Sequence, residues 1–118
     1  MLLWLLPLLL LCGSALGEME TVEGLSFLAY AAGPVAAPAV IVVQEWWGVT
    51  AQIKAHASRI SETGFRVLVP DLYKGVVGVD KEEASHLMGK LDFDLAVNQI
   101  AEAAQYLRDE GSPRIGNP

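Results

Sequence analysis

The stretch Ala39-Val40-Ile41-Val42-Val43-Gln44-Glu45-Trp46-Trp47-Gly48 decides the fold. Its first half is a short apolar run rich in β-branched residues. Such a run reads as a strand buried on both faces, and hence as part of a parallel sheet. The second half turns abruptly to a carboxylate, two indoles and a glycine. Open α/β sheets place their ligand sites at the carboxyl ends of strands, so Glu45 is the first candidate functional residue. A charge at a strand end is more often simply solvated. The tryptophan pair weighs the other way, because large aromatics beside a carboxylate can strip water from it and make an acid–base group.

Downstream, Thr50 is placed to cap a helix that runs to about Glu62. Ile53, Ala57 and Ile60 fall on one face, with Lys54, Arg59 and Glu62 away from it. Gly64 ends the helix in the left-handed conformation open to glycine. Phe65-Arg66-Val67-Leu68-Val69 is the next buried strand, stopped by Pro70. Strand, helix and strand at this spacing make a βαβ unit with parallel strands and a right-handed crossover. The second strand also ends in chemistry, Pro70-Asp71-Leu72-Tyr73. Asp71 and Glu45 then share one edge of the sheet, where two carboxylates can form an acid–base pair. The favoured reading is plainer and has Asp71 capping the turn after the strand.

Residues 74–79 form a glycine-containing loop, and Asp80 with Glu83 has capping-box spacing. Ala84, Leu87, Met88 and Leu91 are expected to face inward. Gly89 and Asp92 mark a break before a helix over residues 94–110, with the stripe Val97, Ile100, Ala101, Ala104 and Leu107. Gly111 ends it, and Ser112-Pro113-Arg114-Ile115 approaches a third strand. Ahead of the central unit, residues 21–30 read as an edge strand or hairpin arm, and residues 31–38 as a loop.

The chain opens with leucine-rich residues 1–11, then Cys12-Gly13-Ser14-Ala15-Leu16-Gly17. The apolar part is short for a membrane span and matches a secretory signal over residues 1–17, cleaved before Glu18. The expected product is secreted; an uncleaved membrane anchor is the alternative. Residues 18–118 form the one domain. Cys12 is the only cysteine, so cleavage leaves no thiol. The net charge is −6 with no basic run, which excludes nucleic acid as a partner. Two separated histidines give no metal-ligand spacing, and no Gly-x-Gly-x-x-Gly is present to seat a nucleotide. Neither metal nor cofactor is expected.

Taken together, Gln44-Glu45-Trp46-Trp47-Gly48, Pro70-Asp71-Leu72-Tyr73, His86-Leu87-Met88 with Leu91-Asp92, and Gly111-Ser112-Pro113-Arg114-Ile115-Gly116 resemble the amino-terminal half of the dienelactone hydrolase family. The resemblance covers roughly residues 22–116. It implies a partial α/β-hydrolase fold, a mostly parallel sheet flanked by helices, truncated before the nucleophile elbow. It also implies hydrolysis of small lactones or esters by a cysteine on a Gly-x-Cys-x-Gly elbow, served by an aspartate and a histidine. Glu45 matches the family glutamate that interacts with the nucleophile. Trp46 matches the residue whose backbone N–H enters the oxyanion hole. Trp47, Tyr73 and Lys74 are the expected substrate-binding residues. The family's arginine falls near Lys74-Gly75, and lysine supplies charge without the bidentate fork.

No Gly-x-Cys-x-Gly or Gly-x-Ser-x-Gly occurs in the sequence. His56 and His86 lie on expected helices and read as surface or packing residues. The expectation is therefore a chain that lacks the triad and is inactive alone, with a small lactone or ester as substrate once completed. The alternative is a secreted, non-catalytic interaction module that pairs its open sheet edge with a protein partner.

Overall fold

The computed structural model describes residues 17–118. The expected signal, apart from Gly17, and with it Cys12 lie outside the described residues. Among the described residues no helix is long and apolar enough to cross a membrane.

Five strands form one sheet in the order β1-β2-β4-β3-β5. They are β1 (Glu20–Thr21), β2 (Ala29–Ala32), β3 (Ala39–Ile41), β4 (Arg66–Pro70) and β5 (Ile115–Gly116). β3 runs parallel to β4, with Ile41 opposite Leu68, and parallel to β5, with Ala39 opposite Ile115. The hairpin of β1 and β2 adds an antiparallel flank, with Ala31 opposite Leu68 on β4. The helices are α1 (Ala51–Glu62), α2 (Lys81–Lys90) and α3 (Phe93–Glu110).

Successive side chains of a strand point to opposite faces, and β4 feeds two cores this way. Leu68 packs with Ala29, Ala39, Ile41, Ala103 and Leu107 under α3. Val67 and Val69 pack with Val42, Val49 and Ala57 under α1. The βαβ unit is therefore the centre of the molecule, as its sequence pattern implies.

The helix ends follow their capping residues. Thr50 Oγ1 accepts the Ile53 N–H at 3.2 Å. Asp80 Oδ1 accepts the Glu83 N–H at 2.8 Å. Asp92 Oδ1 accepts the Leu95 N–H at 3.1 Å, so α3 starts at Phe93, one residue ahead of expectation. Gly111 closes α3 at φ 111°.

Several expectations need correction, among them the loop expected over residues 31–38, whose first two residues, Ala31 and Ala32, pair with β4 as the end of β2. The α3 stripe runs through Ala96, Ala103 and Leu107, whereas Ala101 is exposed and Val97 is 63% exposed. Both stripes satisfy a helical period. The small residues win because alanine lets the helix lie close against Ala29 and Ala39 on the sheet. Met88, expected inward, is likewise 36% exposed. In the hairpin only the two ends are strand. Val22, Leu25 and Phe27 pack on the Leu68–Leu107 core from a loop. That loop is tied to α3, since the Ser26 N–H donates to Glu102 at 2.9 Å and so does its hydroxyl.

One ion pair joins three elements. Arg66 at the start of β4 meets Glu110 at the end of α3 through two hydrogen bonds of 3.2 Å. Arg66 also donates to the Gly33 carbonyl at 3.1 Å. The Tyr106 hydroxyl donates to Glu110 at 3.2 Å. Bidentate arginine–carboxylate pairs are among the stronger polar contacts.

Candidate functional site

The chain leaves the sheet after Val42, whose N–H still donates to the Leu68 carbonyl at 3.0 Å. Gln44 then bridges the ends of the parallel strands, its Oε1 accepting the Leu72 N–H at 2.8 Å. Glu45 to Gly48 is a tight turn closed by the Gly48 N–H donating to the Glu45 carbonyl at 3.1 Å. Gly48 sits at φ 101°, and a Cβ there would lie 2.6 Å from the Val76 carbonyl oxygen. Only glycine fits both conditions. The Gly78 N–H donates to the Trp47 carbonyl at 2.8 Å. The turn is thus held from within and by the loop that follows β4.

Among the described residues the Trp46 N–H has no hydrogen-bond acceptor. It stands as a fixed, unspent donor at the carboxyl edge of the sheet. The Trp46 and Trp47 rings meet edge-on, with centroids 5.1 Å apart and planes at 63°. They pack on each other and leave Glu45 exposed, so the expected shielding of that carboxylate by indole is not what the structure has. Asp71 is 3% exposed, and its Oδ1 accepts the Tyr73 N–H at 3.2 Å. It caps the turn, as favoured from sequence, and no hydrogen bond joins it to Glu45 among the described residues. Burial pushes the Tyr30 phenol above its ordinary value, and the Asp71 carboxylate adds to that.

The expected site residues divide between two grooves. Glu45 and Trp47 line one of about 480 Å³, together with Gln52, Ile53, His56 and Arg59 of α1. Tyr73 and Lys74 line another of about 200 Å³, against Leu87, Leu91, Leu95 and Gln99 of α2, α3 and the bend between them. The turn and the 73–78 loop stand between as one packed unit. Tyr73 is buried, which raises its phenol above the ordinary value, and its hydroxyl lies 3.9 Å from Met88 Sδ. Lys74 is exposed and takes a left-handed φ of 55°. Trp46 is on the lining of neither groove.

His56 and Arg59 are the residues that sequence reasoning passed over. Gln52, His56 and Arg59 recur at helical spacing on the polar face of α1, but a polar helix face is ordinarily just solvated. Only the folding of Trp47 over that face makes it a groove wall.

A mixed sheet with helices on both faces, and a fixed backbone donor at the end of a central strand, places the protein among α/β-hydrolase folds. The dienelactone hydrolase family model matches residues 27–116, and the chain belongs to that family. It is 34% identical over 91 residues to a carboxymethylenebutenolidase-like protein of Aquifex aeolicus, covering 72% of this chain and 39% of that protein. It is also 34% identical over 79 residues to the protein usf of Aquifex pyrophilus, covering 62% of this chain and 34% of that one. Among solved structures it resembles a dienelactone-hydrolase-like protein of Klebsiella pneumoniae, with a TM-score of 0.68 and 23% identity, over 85% of this chain and 47% of the other. That likeness bears on the fold. The chain spans less than half the length of each of these relatives.

Proposed function

We propose that the 45–48 turn is the oxyanion-holding element of a hydrolase for small lactones or esters. The observation that supports this reading is the Trp46 N–H, without an acceptor among the described residues and locked by the Gly48 and Gly78 hydrogen bonds on either side. Attack on an ester carbonyl moves charge onto its oxygen. A donor already in place stabilises that charge without reorganising, and losing one such donor typically costs about 10²–10³ in kcat. The nucleophile comes from outside these residues, because the sequence holds no elbow motif. It adds to the carbonyl carbon, the carbon–oxygen bond of the ring or ester breaks, and the leaving oxygen takes a proton. Water then attacks the acyl intermediate, releases the acid and restores the nucleophile. Glu45, at the start of the turn, is the carboxylate that governs the protonation of the nucleophile. Trp47, which shares a groove with Glu45, contacts the substrate there. The leucine-rich start directs the chain to the secretory pathway.

The chain alone is then expected to give only the buffer rate on p-nitrophenyl acetate. Mixed with the part of the Aquifex aeolicus relative that this chain does not cover, it is expected to restore hydrolysis, and Gly48→Ala to remove that gain. Hydrolysis by the chain alone would place a nucleophile within it. Restored hydrolysis unaffected by Gly48→Ala would end the assignment of the turn.

A second reading has its own support. Phe93 and Val97 of α3 are 61% and 63% exposed, and among the described residues β5 pairs on one side only. A non-catalytic interaction module would use this face and edge to hold a second chain. Analytical ultracentrifugation with a Phe93→Ser, Val97→Ser variant separates the two, because only an interaction module loses its partner.

A further inference from the structure

Tyr73 is 7% exposed, and among the described residues its hydroxyl finds one hydrogen-bond partner, the Met88 Sδ at 3.9 Å. A thioether is a weak acceptor, so this buried phenol is left short of a full hydrogen bond. Burial also holds it above its ordinary value. The sulfur belongs to a residue that solvent reaches: Met88, in the last turn of α2, is 36% exposed. Met19 differs, being half-buried and packed on the core under α1. The Tyr73 ring also meets the 45–48 turn, its Cδ2 lying 3.2 Å from where a Gly48 Cβ would stand. An exposed thioether, a buried hydroxyl and the turn therefore touch one after another.

We propose that Met88 is an oxidation site, converted by hydrogen peroxide to a sulfoxide whose oxygen takes the hydrogen bond of the Tyr73 hydroxyl. A sulfur lone pair attacks one peroxide oxygen. The S–O bond forms and the O–O bond breaks. The departing oxygen leaves as water, taking the proton of the oxygen that stays on sulfur. Sulfur is oxidised and the peroxide is reduced. Sulfoxidation of a core methionine ordinarily sets a polar group among apolar ones and disrupts packing. Here the new oxygen is a far better acceptor than the thioether, and it arises beside a buried donor that lacks one. The sulfoxide ties α2 to the 73–78 loop, whose Gly78 N–H holds the Trp47 carbonyl. Methionine sulfoxide reductases reverse the change. The site stands on Met88 and Tyr73 and does not depend on turnover.

The test treats the full chain with dilute hydrogen peroxide and follows each methionine by peptide mass. Met88 is expected to gain one oxygen severalfold faster than Met19, and a methionine sulfoxide reductase to remove it. In the oxidised chain the tyrosinate absorbance assigned to Tyr73, by difference from Tyr73→Phe, is expected to move to higher pH, since a hydrogen bond from the phenol favours its neutral form. Met88→Leu is expected to abolish that shift on peroxide treatment. Oxidation is also expected to lower the urea midpoint less in the unsubstituted chain than in Tyr73→Phe, the comparison that isolates the pair. Circular dichroism checks that both conservative variants keep the fold. Met19 oxidising as fast as Met88 overturns the proposal. So does a Tyr73 titration that stays in place or falls after oxidation, and so does an equal loss of midpoint in the chain and in Tyr73→Phe. No readout uses hydrolysis, so loss of the hydrolase reading leaves these outcomes intact.

Discussion

Gly48 and Val76 approach so closely that a Cβ on the glycine would stand 2.6 Å from the valine carbonyl oxygen. The two belong to different loops, one after β3 and one after β4. Their contact, with the Gly78 to Trp47 hydrogen bond, makes the sheet edge a single rigid piece. Gly48→Ala must both strain a positive φ and displace a backbone carbonyl. It is expected to lose about 1–3 kcal/mol, read as a lower urea midpoint. Gly89, whose Cβ position meets nothing within 4 Å among the described residues beyond its own helix, is the control. Gly89→Ala in α2 is expected to gain up to about 1 kcal/mol.

Stability is expected to fall in alkali. Burial raises the phenols of Tyr30, Tyr73 and Tyr106 above 10.0, with Asp71 adding at Tyr30 and Glu110 at Tyr106. A raised folded-state value means that the folded protein prefers the neutral phenol. The contribution is therefore full below pH 10, the unfolded value, and is lost as pH rises through the higher folded values. Urea midpoints measured from pH 8 to 11.5 follow the decline, and tyrosinate absorbance marks the titration. Tyr73→Phe is expected to flatten part of the slope.

The register of α3 makes a paired prediction. Val97→Ser is expected to change stability by no more than about 0.5 kcal/mol, since the side chain already meets water. Ala103→Leu is expected to cost about 1–3 kcal/mol, because Ala103 is fully buried against the sheet and the core there has no spare volume. Equal effects at the two positions would return the helix to the stripe through Val97.

Amino-terminal sequencing of secreted protein is expected to begin at Glu18. Cleavage there removes the Gly17 carbonyl, which accepts a hydrogen bond from the Ser58 hydroxyl. Ser58→Ala is thus expected to lower the melting temperature of uncleaved chain and leave that of the processed chain unchanged. A product that still starts at Met1 would count against secretion by cleavage.

The βαβ unit was legible because its signals are local. Apolar runs, Thr50 as cap and Gly64 as stop all act within a few residues of themselves. Asp71 as a turn cap and the last strand at Ile115 belong to the same group. The α3 register was not legible, since Val97 and Ala96 sit on overlapping stripes and only the closeness of Ala29 and Ala39 chooses between them. The segment from Val22 to Leu28 mimics strand alternation while packing as a loop held by Glu102. The site shows the same limit. Glu45 and Tyr73 end neighbouring strands, yet the contact between Gly48 and Val76 walls them into separate grooves. Arg59 stayed hidden because the residue that makes its face a wall, Trp47, reaches it only in the folded chain.

The pairing of β3 with β5 also sets an order of events. β4 gains β2 and β3 as neighbours from segments made before it. The Ala39 N–H finds its acceptor only at Arg114, near the far end of the sequence. During synthesis the outer margin of β3 therefore waits, ungated, while the rest of the sheet assembles. Slow decoding between α2 and β5 would lengthen that wait and favour capture by a chaperone, whereas slowing before β4 would not.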